Sequence, residues 1–291
     1  MSIDELMGVV SRLGTATDAL AAIGAQLSLA EAGPAADPRV ASALAGVSTA
    51  AGLSDVDDLA PPQRTMALGV IRMFLHQAAD LLGDPARPPG WSYTDPAVLE
   101  GIGRGSGVMP NLIAGALPDL AVTSFLDVGV GVGWLAIGAA NLWPDATVVG
   151  IDVWEPALER AKANVAGAGL DGRISLRNQD ITALHDTDTY DCAWVPSFFL
   201  SEDALMVGLP KVVNALRPGG TVVLGRFDPV PDPLAQATST LRTIRGGGCD
   251  VTIESACERL AAAGCTEVRP LARTWPMPVA FVIGQKAATA A

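Results

Sequence analysis

The fold of this chain follows from one stretch, Phe125-Leu-Asp-Val-Gly-Val-Gly-Val-Gly-Trp134, in which an apolar strand runs into an aspartate and three alternating glycines. A helix-forming run over residues 134–142 follows directly. Because glycine has no side chain, the backbone at Gly129, Gly131 and Gly133 can come close to a bound molecule. A glycine turn between a strand and a helix is the usual place for a nucleotide-like cofactor in an open α/β sheet.

The spacing of these glycines distinguishes two classes of cofactor. The dinucleotide fingerprint is G-x-G-x-x-G, with an acidic residue about 20 positions later. This chain has G-x-G-x-G instead, and Trp134 stands where the third fingerprint glycine would be. Asp127 also lies two residues before the first glycine. The resulting D-x-G-x-G-x-G pattern differs from the dinucleotide one.

Two further carboxylates follow predicted strands. Asp152 ends the strand over residues 148–152 and can accept hydrogen bonds from both ribose hydroxyls of an adenosine. Val153 and Trp154 are then placed to pack on the adenine ring. The alternative for Asp152 is the N-cap of the helix that begins near Pro156.

Asp180 follows the third predicted strand, residues 173–177, in Asn178-Gln-Asp180-Ile181. Its carboxylate can accept from the adenine amino group, while the backbone amide of Ile181 donates to a ring nitrogen. The alternative is that Asp180 caps the short turn after it. Ligands bind at the carboxyl ends of parallel strands, which favours the ligand role.

Along the chain, a helical region precedes an α/β region. Residues 1–90 are predicted as a helical domain, with helices over 3–29 (broken near Gly14 or Gly24), 40–51 and 63–82, before the breaker-rich Asp84-Pro-Ala-Arg-Pro-Pro-Gly90. Residues 91–291 are predicted as the second domain, in which strands alternate with helices; the helix over 204–216 is kinked or delayed by Pro210. This alternation predicts a mostly parallel sheet with helices on both faces.

Five segments together resemble a class I S-adenosylmethionine (SAM)-dependent methyltransferase over about residues 91–286. They are Asp127-Val-Gly-Val-Gly-Val-Gly133, Gly150-Ile-Asp152, Asn178-Gln-Asp180, Tyr190-Asp-Cys-Ala-Trp194 and Leu216-Arg-Pro-Gly-Gly220. The resemblance implies a Rossmann-like seven-stranded sheet whose last strand is antiparallel, with SAM as cofactor. It places Asp127 near the cofactor's amino group, Gly129 and Gly131 at its methionine end, and Trp194 among the cofactor-binding residues. Residues 1–90 resemble the caps and dimerisation domains of small-molecule methyltransferases.

The segment after the fourth predicted strand, Trp194-Val-Pro-Ser-Phe-Phe-Leu200, borders the transferring methyl in that family. It lacks the Asp/Asn-Pro-Pro-Tyr/Phe pattern of enzymes that methylate amino groups of DNA, which weakens that interpretation. Phe198 and Phe199, together with Trp275 and Met277, are the candidate residues of an apolar acceptor pocket. The alternative role of Phe198 and Phe199 is core packing, and that of Trp275 and Met277 is an ordinary loop or surface residue.

The sequence offers few candidates for a general base, because the chain has only two histidines. His76 is the candidate base; its alternative is a buried histidine with a satisfied hydrogen bond, or one at a dimer surface. His185 is predicted to be a solvated surface residue. In Gly101-Ile-Gly-Arg-Gly-Ser-Gly107, Arg104 or Ser106 can bind the cofactor's carboxylate, and the alternative is a plain loop.

Bulk composition excludes several classes of function. A formal charge of −12 argues against a nucleic-acid substrate. The cysteine spacing matches no common zinc pattern, so we expect no metal. No apolar run approaches about 20 residues and no secretion signal is present, which predicts a cytoplasmic protein that does not enter a membrane.

These observations predict a methyltransferase that uses SAM and acts on an oxygen or carbon of a small, fairly apolar metabolite. We expect a homodimer formed through its N-terminal helices. A non-catalytic SAM-binding protein on the same fold is the first alternative. An NAD-dependent oxidoreductase is the second, and the glycine spacing and the absence of a catalytic Tyr/Lys pair speak against it.

Overall fold

The computed structural model describes residues 1–32, 36–53, 56–275 and 277–288. The chain divides into two compact units. The first comprises Met1–Pro85 with Glu100–Ile102, and the second comprises Ala86–Leu99 with Gly103–Ala291.

The first unit contains three long helices: α1 (Ile3–Ala32), α2 (Pro38–Ala50) and α3 (Pro61–Gly83). Its small apolar core is formed by Leu27, Val56, Leu68 and Ile71. The predicted break near Gly14 or Gly24 is wrong, because α1 is continuous. A helical glycine costs only about 1 kcal/mol relative to alanine. At Gly24 a Cβ atom would lie 2.9 Å from Cγ2 of Ile71, so the missing side chain allows α1 and α3 to pack closely.

One helix in the described part of the chain is long and apolar enough to cross a membrane, judged by length and composition alone: Ile3–Glu31. The expectation that the chain does not enter a membrane was based on uninterrupted apolar runs. In α1, charged residues such as Asp4, Arg12 and Asp18 interrupt such a run, although most of the helix is apolar. A single such helix near the N-terminus is weak evidence for a membrane span.

The second unit alternates strands and helices. Helix α4 (Pro96–Gly103) has residues in both units. The elements that lie wholly in the second unit are α5 (Met109–Ala116), β1 (Ser124–Val128), α6 (Trp134–Leu142), β2 (Thr147–Asp152), α7 (Glu155–Gly167), β3 (Ile174–Asn178), β4 (Tyr190–Pro196), α8 (Glu202–Ala215), β5 (Leu216–Phe227), α9 (Pro233–Arg245), α10 (Ile253–Ala262), β6 (Cys265–Pro270) and β7 (Val279–Lys286).

These strands form one seven-stranded sheet in the order β3-β2-β1-β4-β5-β7-β6. The first five strands are parallel, and β7 runs antiparallel to both of its neighbours. The predicted fold class, a Rossmann-like mostly parallel sheet with an antiparallel last strand, is confirmed. The carboxyl ends of β1, β2 and β4 therefore lie at one edge, where the predicted site residues follow the strands.

Each face of the sheet carries its own apolar core. Phe125, Cys192 and Phe281 point to one face and pack with residues of α5, α6 and α7. Leu126 and Val282 point to the other face and pack with residues of α8 and α10. Neighbouring residues of a strand thus point to opposite faces, and helices cover both faces, as is usual for parallel sheets.

One local expectation needs correction. α8 begins at Glu202, so a helix start delayed to Pro210 is wrong, whereas a kink at Pro210 stays a prediction. The helix starts where Ser201 accepts a hydrogen bond from the backbone N–H of Ala204. After β5, Asp232 caps α9 by accepting from the N–H of Ala235.

Candidate cofactor and acceptor site

The glycine turn, residues 129–133, joins β1 to α6. Its three glycines have φ values of +68°, +54° and +88°, in the region that residues with a side chain rarely adopt. The N–H groups of Gly129 and Val130 both donate to the carbonyl of Ile151, at 2.9 and 3.0 Å. These bonds fix the turn against the end of β2, so its backbone surface is rigid and bare of side chains at the glycines.

Asp152, the last residue of β2, faces this turn. Its Oδ2 accepts from the N–H of Gly131 at 2.8 Å, and its Oδ1 accepts from the N–H of Trp154 at 2.8 Å. Burial raises the pKa of Asp152, while these backbone donors lower it. A carboxylate has about four acceptor positions, so capacity remains for hydroxyl donors of a ligand. The N-cap alternative is wrong, because Trp154 occupies the N-cap position of α7.

Asp127 is buried on β1 between Gly150 of β2 and Trp194 of β4, with only 1% of its surface exposed. Its Oδ2 atom has no hydrogen-bond partner among the described residues. Burial raises the pKa of Asp127 well above 3.8, and the charge of Asp152 raises it further, against a hydrogen bond from the backbone of Ala136. An unpaired buried oxygen of this kind is costly and fits a donor supplied by a ligand.

The two residues after Asp152 differ in exposure. Val153 is largely exposed, whereas Trp154 is half-buried and packs with Val132 of the glycine turn. The indole Nε1–H of Trp154 donates to the carbonyl of Tyr93 at 2.7 Å. Contact of either side chain with an adenine ring stays a prediction.

Asp180 caps the short 3₁₀ turn over residues 181–183, where its Oδ1 accepts from the N–H of Thr182 at 2.7 Å. The capping alternative is therefore observed. The side chain of Ile181 is buried against Gly208 of α8. The adenine contacts predicted for Asp180 and for the backbone of Ile181 stay predictions.

Trp194 supports the site from within the core. It is buried and packs edge-on against Phe281, with ring centroids 5.5 Å apart. A Cβ atom at Gly225 would lie 2.2 Å from its ring, so this glycine leaves room for the indole. A direct contact between Trp194 and the cofactor stays a prediction.

Five aromatic side chains form a contiguous cluster near the carboxyl ends of β4 and β5. Phe198 stacks on Phe227 at 4.4 Å and meets Phe199 edge-on at 4.8 Å. Phe199 meets Trp91 at 5.5 Å, and Trp91 meets Tyr93 at 5.3 Å. The whole chain has only six Trp, two Tyr and six Phe, so this aromatic cluster contains a large share of its aromatic residues. Phe199 is 45% exposed, so the cluster offers ring surface to a ligand.

Sequence reasoning identified Phe198 and Phe199 but missed Trp91, Tyr93 and Phe227 as their neighbours. The five residues come from three segments that are far apart in the chain. A run of aromatic residues before the first strand, Trp91-Ser-Tyr93, was the available signal.

The other two predicted acceptor residues lie in the turn before β7. Trp275 is buried on Phe281, with ring centroids 4.7 Å apart, and its Nε1–H donates to the carbonyl of Val279. Met277 is half-buried against the same core. Trp275 therefore packs in the core, so the alternative of an ordinary loop or surface residue is wrong for it. An acceptor contact for either residue stays a prediction.

Neither histidine belongs to the aromatic cluster. His76 is exposed on α3 in the first unit, so the buried-histidine alternative is wrong; its role as base stays a prediction. His185 is exposed, as predicted. Among the residues that the structure describes, no group of three or more His, Cys, Asp or Glu side chains could hold a metal ion.

Comparison with known proteins gives independent findings on the second unit. Residues 125–220 match the model of a family described as a methyltransferase domain. The chain is 35% identical over 123 residues to the 27-O-demethylrifamycin SV methyltransferase of Amycolatopsis mediterranei. The aligned region covers 42% of this chain and 44% of that protein. The chain therefore spans less than half the length of this relative.

Solved structures resemble the whole chain. A crystal structure from Nostoc punctiforme, whose printed name gives O-methyltransferase as an unconfirmed activity, aligns with a TM-score of 0.69 at 16% identity. The alignment covers 98% of this chain and 100% of that one. Human N-acetylserotonin methyltransferase, solved in complex with SAM, aligns with a TM-score of 0.69 at 13% identity and 99% coverage of both chains. At such identities the likeness concerns the fold.

Proposed function

We propose that this chain, whose residues 125–220 match the model of a methyltransferase-domain family, is a SAM-dependent methyltransferase acting on an oxygen or carbon of a small, fairly apolar metabolite. The observation that carries the proposal is the combination of a bare glycine turn, a buried carboxylate oxygen without a partner and an adjoining carboxylate. We also propose that the protein is located in the cytoplasm and forms a homodimer through the first unit.

The residues present fit SAM, which is the cofactor of this class of domain. Asp127 would accept from the cofactor's amino group through its unpaired oxygen, and Asp152 would accept from the ribose hydroxyls. Asp180 and Ile181 would contact the adenine. When bound, SAM supplies a methyl group already activated by the positive sulfonium.

The protein's own contribution to transfer is alignment and exclusion of water. The aromatic cluster would hold the apolar body of the acceptor beside the carboxyl ends of β4 and β5. Bulky rings there would also displace water from the reacting atoms. Within the aromatic cluster only Tyr93 has an ionisable side chain, so an acceptor whose hydroxyl is already acidic suits this cluster best.

Calorimetry with SAM and with NAD tests the cofactor. We expect SAM to bind and NAD to leave no signal; binding of NAD without SAM would overturn the proposal. Asp152→Asn should weaken SAM about tenfold or more, since a charge-assisted hydrogen bond contributes about 1.5–3 kcal/mol. An unchanged affinity would remove Asp152 from the ribose role.

A non-catalytic SAM-binding protein is the second candidate, favoured by the composition of the aromatic cluster, whose five side chains include neither a carboxylate nor a histidine. Transfer of a labelled methyl group from SAM to a panel of phenols, enols and carboxylic acids separates the two. We expect transfer to a phenol or enol, and a raised KM for that acceptor in Trp91→Ala with SAM affinity unchanged. Binding of SAM without transfer to any acceptor class would favour the second candidate.

A further inference from the structure

Residues 89–95 supply two rings of the aromatic cluster but contain no helix or strand. Trp91 meets Phe199, and Tyr93 meets Trp91, with ring centroids 5.5 and 5.3 Å apart. A segment of this kind has no backbone hydrogen-bond ladder of its own, so contacts with other parts of the protein fix its position. We call residues 89–95 the 89–95 segment.

The beginning of the 89–95 segment is attached to α9 and to the glycines that follow this helix. The N–H of Gly90 donates to the carbonyl of the last residue of α9 at 3.1 Å. A Cβ atom at Gly247 would lie 3.0 Å from Cα of Gly90, and one at Gly248 would lie 2.0 Å from the carbonyl oxygen of Phe198. The missing side chains therefore let the turn after α9 pack on both Gly90 and Phe198, next to the aromatic cluster.

Further along, the 89–95 segment is attached to Trp154, which lies two residues after Asp152. The indole Nε1–H of Trp154 donates to the carbonyl of Tyr93 at 2.7 Å, and its backbone N–H donates to Oδ1 of Asp152 at 2.8 Å. The Trp154 ring packs in a small apolar cluster with Val132 of the glycine turn. One residue therefore connects the carboxylate that we assign to the ribose with the backbone that carries Tyr93.

We propose that Trp154 is a positioning residue that holds the 89–95 segment, and with it Trp91 and Tyr93, in place when the cofactor occupies Asp152. The proposal rests on the proposed function, since it supposes that the ribose hydroxyls donate to Asp152. These hydroxyls restrain residues next to Asp152, and the indole of Trp154 transmits the restraint to the carbonyl of Tyr93. The bound cofactor thereby lowers the cost of ordering the aromatic wall that an acceptor meets.

Amide hydrogen exchange measures this restraint without an acceptor. The probe is S-adenosylhomocysteine (SAH), which carries the same ribose as SAM and has no methyl group to transfer. In the natural protein, saturating SAH should slow exchange in a peptide that covers the 89–95 segment about threefold or more, the effect of roughly one hydrogen bond. Trp154→Phe keeps an aromatic ring but removes the Nε1–H donor. In this variant, saturating SAH should leave exchange in the same peptide unchanged, while calorimetry still detects SAH binding.

Trp143→Phe is the matched control. Trp143 is half-buried, as Trp154 is, but it packs on Phe125 with ring centroids 5.6 Å apart and lies before the start of β2. This variant should keep the slowing of exchange by SAH, because the bond between Trp154 and Tyr93 is intact. Each protein is measured at its own saturating SAH concentration, so a change in affinity does not enter the comparison.

Three outcomes are distinguishable from the expected one. If exchange in Trp154→Phe is faster both with and without SAH, and SAH still slows it as in the natural protein, Trp154 has a packing role and the proposal is wrong. A natural protein that binds SAH without any slowing in the 89–95 segment would also overturn the proposal. A natural protein that does not bind SAH would overturn the proposed function itself.

Discussion

Asp127 combines two properties that oppose each other. It is buried beside Asp152 with one unpaired oxygen, which destabilises the folded protein when the carboxyl is ionised. The same unpaired oxygen is what the proposed cofactor's amino group requires. Such local costs are typical of binding sites, where stability is given up for function.

The raised pKa of Asp127 predicts how stability depends on pH. In the ligand-free protein the folded state holds this proton more tightly than the unfolded state. The free energy of unfolding should therefore decrease as pH rises from the ordinary pKa of 3.8 through the higher folded value. Asp127→Asn should be more stable than the natural protein at neutral pH, by a margin that shrinks toward pH 4. Urea unfolding of both proteins over a pH series measures this, and a margin independent of pH would contradict it.

The same Asp127→Asn variant should bind SAM more weakly, by about tenfold or more, because an amide oxygen replaces a charged acceptor. Calorimetry on the two proteins measures the difference. Stability and affinity should thus change in opposite directions. An affinity equal to that of the natural protein would show that Asp127 does not contact the amino group.

The positions of the three carboxylates could be predicted from the sequence, because each lies at or just after the end of a strand that the hydrophobic pattern indicates. The aromatic cluster could not, since Trp91, Phe199 and Phe227 meet only through tertiary packing. The core role of Trp275 was also hidden, because its position on Phe281 depends on the register of β7. A local sequence pattern predicts where strands end, but it does not predict contacts between segments that are distant in the chain.

The glycine turn is the element whose backbone matters most to the site. Gly131 has a φ of +54° and donates its N–H to Asp152. Gly131→Ala should destabilise the protein by about 1–2 kcal/mol, the cost of a left-handed residue with a side chain. Because the new methyl group projects where we propose the cofactor lies, SAM affinity should fall as well. Thermal unfolding and calorimetry measure the two effects.

Gly105→Ala is the matched control for this substitution. In the described structure nothing lies within 4 Å of a Cβ atom at Gly105, and its φ is not left-handed. We expect little change in stability or affinity from it. If Gly105→Ala weakened SAM as much as Gly131→Ala, the effect could not be assigned to the turn.

Among the elements, strands and most helices were predictable. Gly14, Gly24 and Pro210 are helix-breaking residues by intrinsic preference, yet each lies inside a helix. Packing of α1 on α3 at Gly24 and of α8 on the sheet outweighs that preference at Gly24 and Pro210. Gly14 lies in an exposed part of α1, where a helical glycine costs only about 1 kcal/mol. The number of strands and the antiparallel direction of the last one came from the family resemblance, because the alternation of elements alone predicts only a mostly parallel sheet.

The chain as a whole consists of two units of different character. The second has two extensive cores around the sheet, whereas the first has a small core of four buried residues. On α1, apolar residues at helical spacing are exposed: Ile3, Leu6, Met7, Val10 and Leu13. An exposed apolar stripe of this kind marks an association surface.

We predict that this stripe forms the homodimer interface, so the purified protein should have a mass about twice 29.8 kDa by light scattering coupled to size exclusion. Leu6→Lys combined with Val10→Lys places two charges one turn apart on the stripe and should yield a monomer, because burying unpaired charges is costly. Val207→Lys alters an equally exposed apolar residue on α8 and should remain dimeric. A natural protein that is monomeric at micromolar concentration and floats with lipid vesicles would instead assign the stripe to a membrane surface.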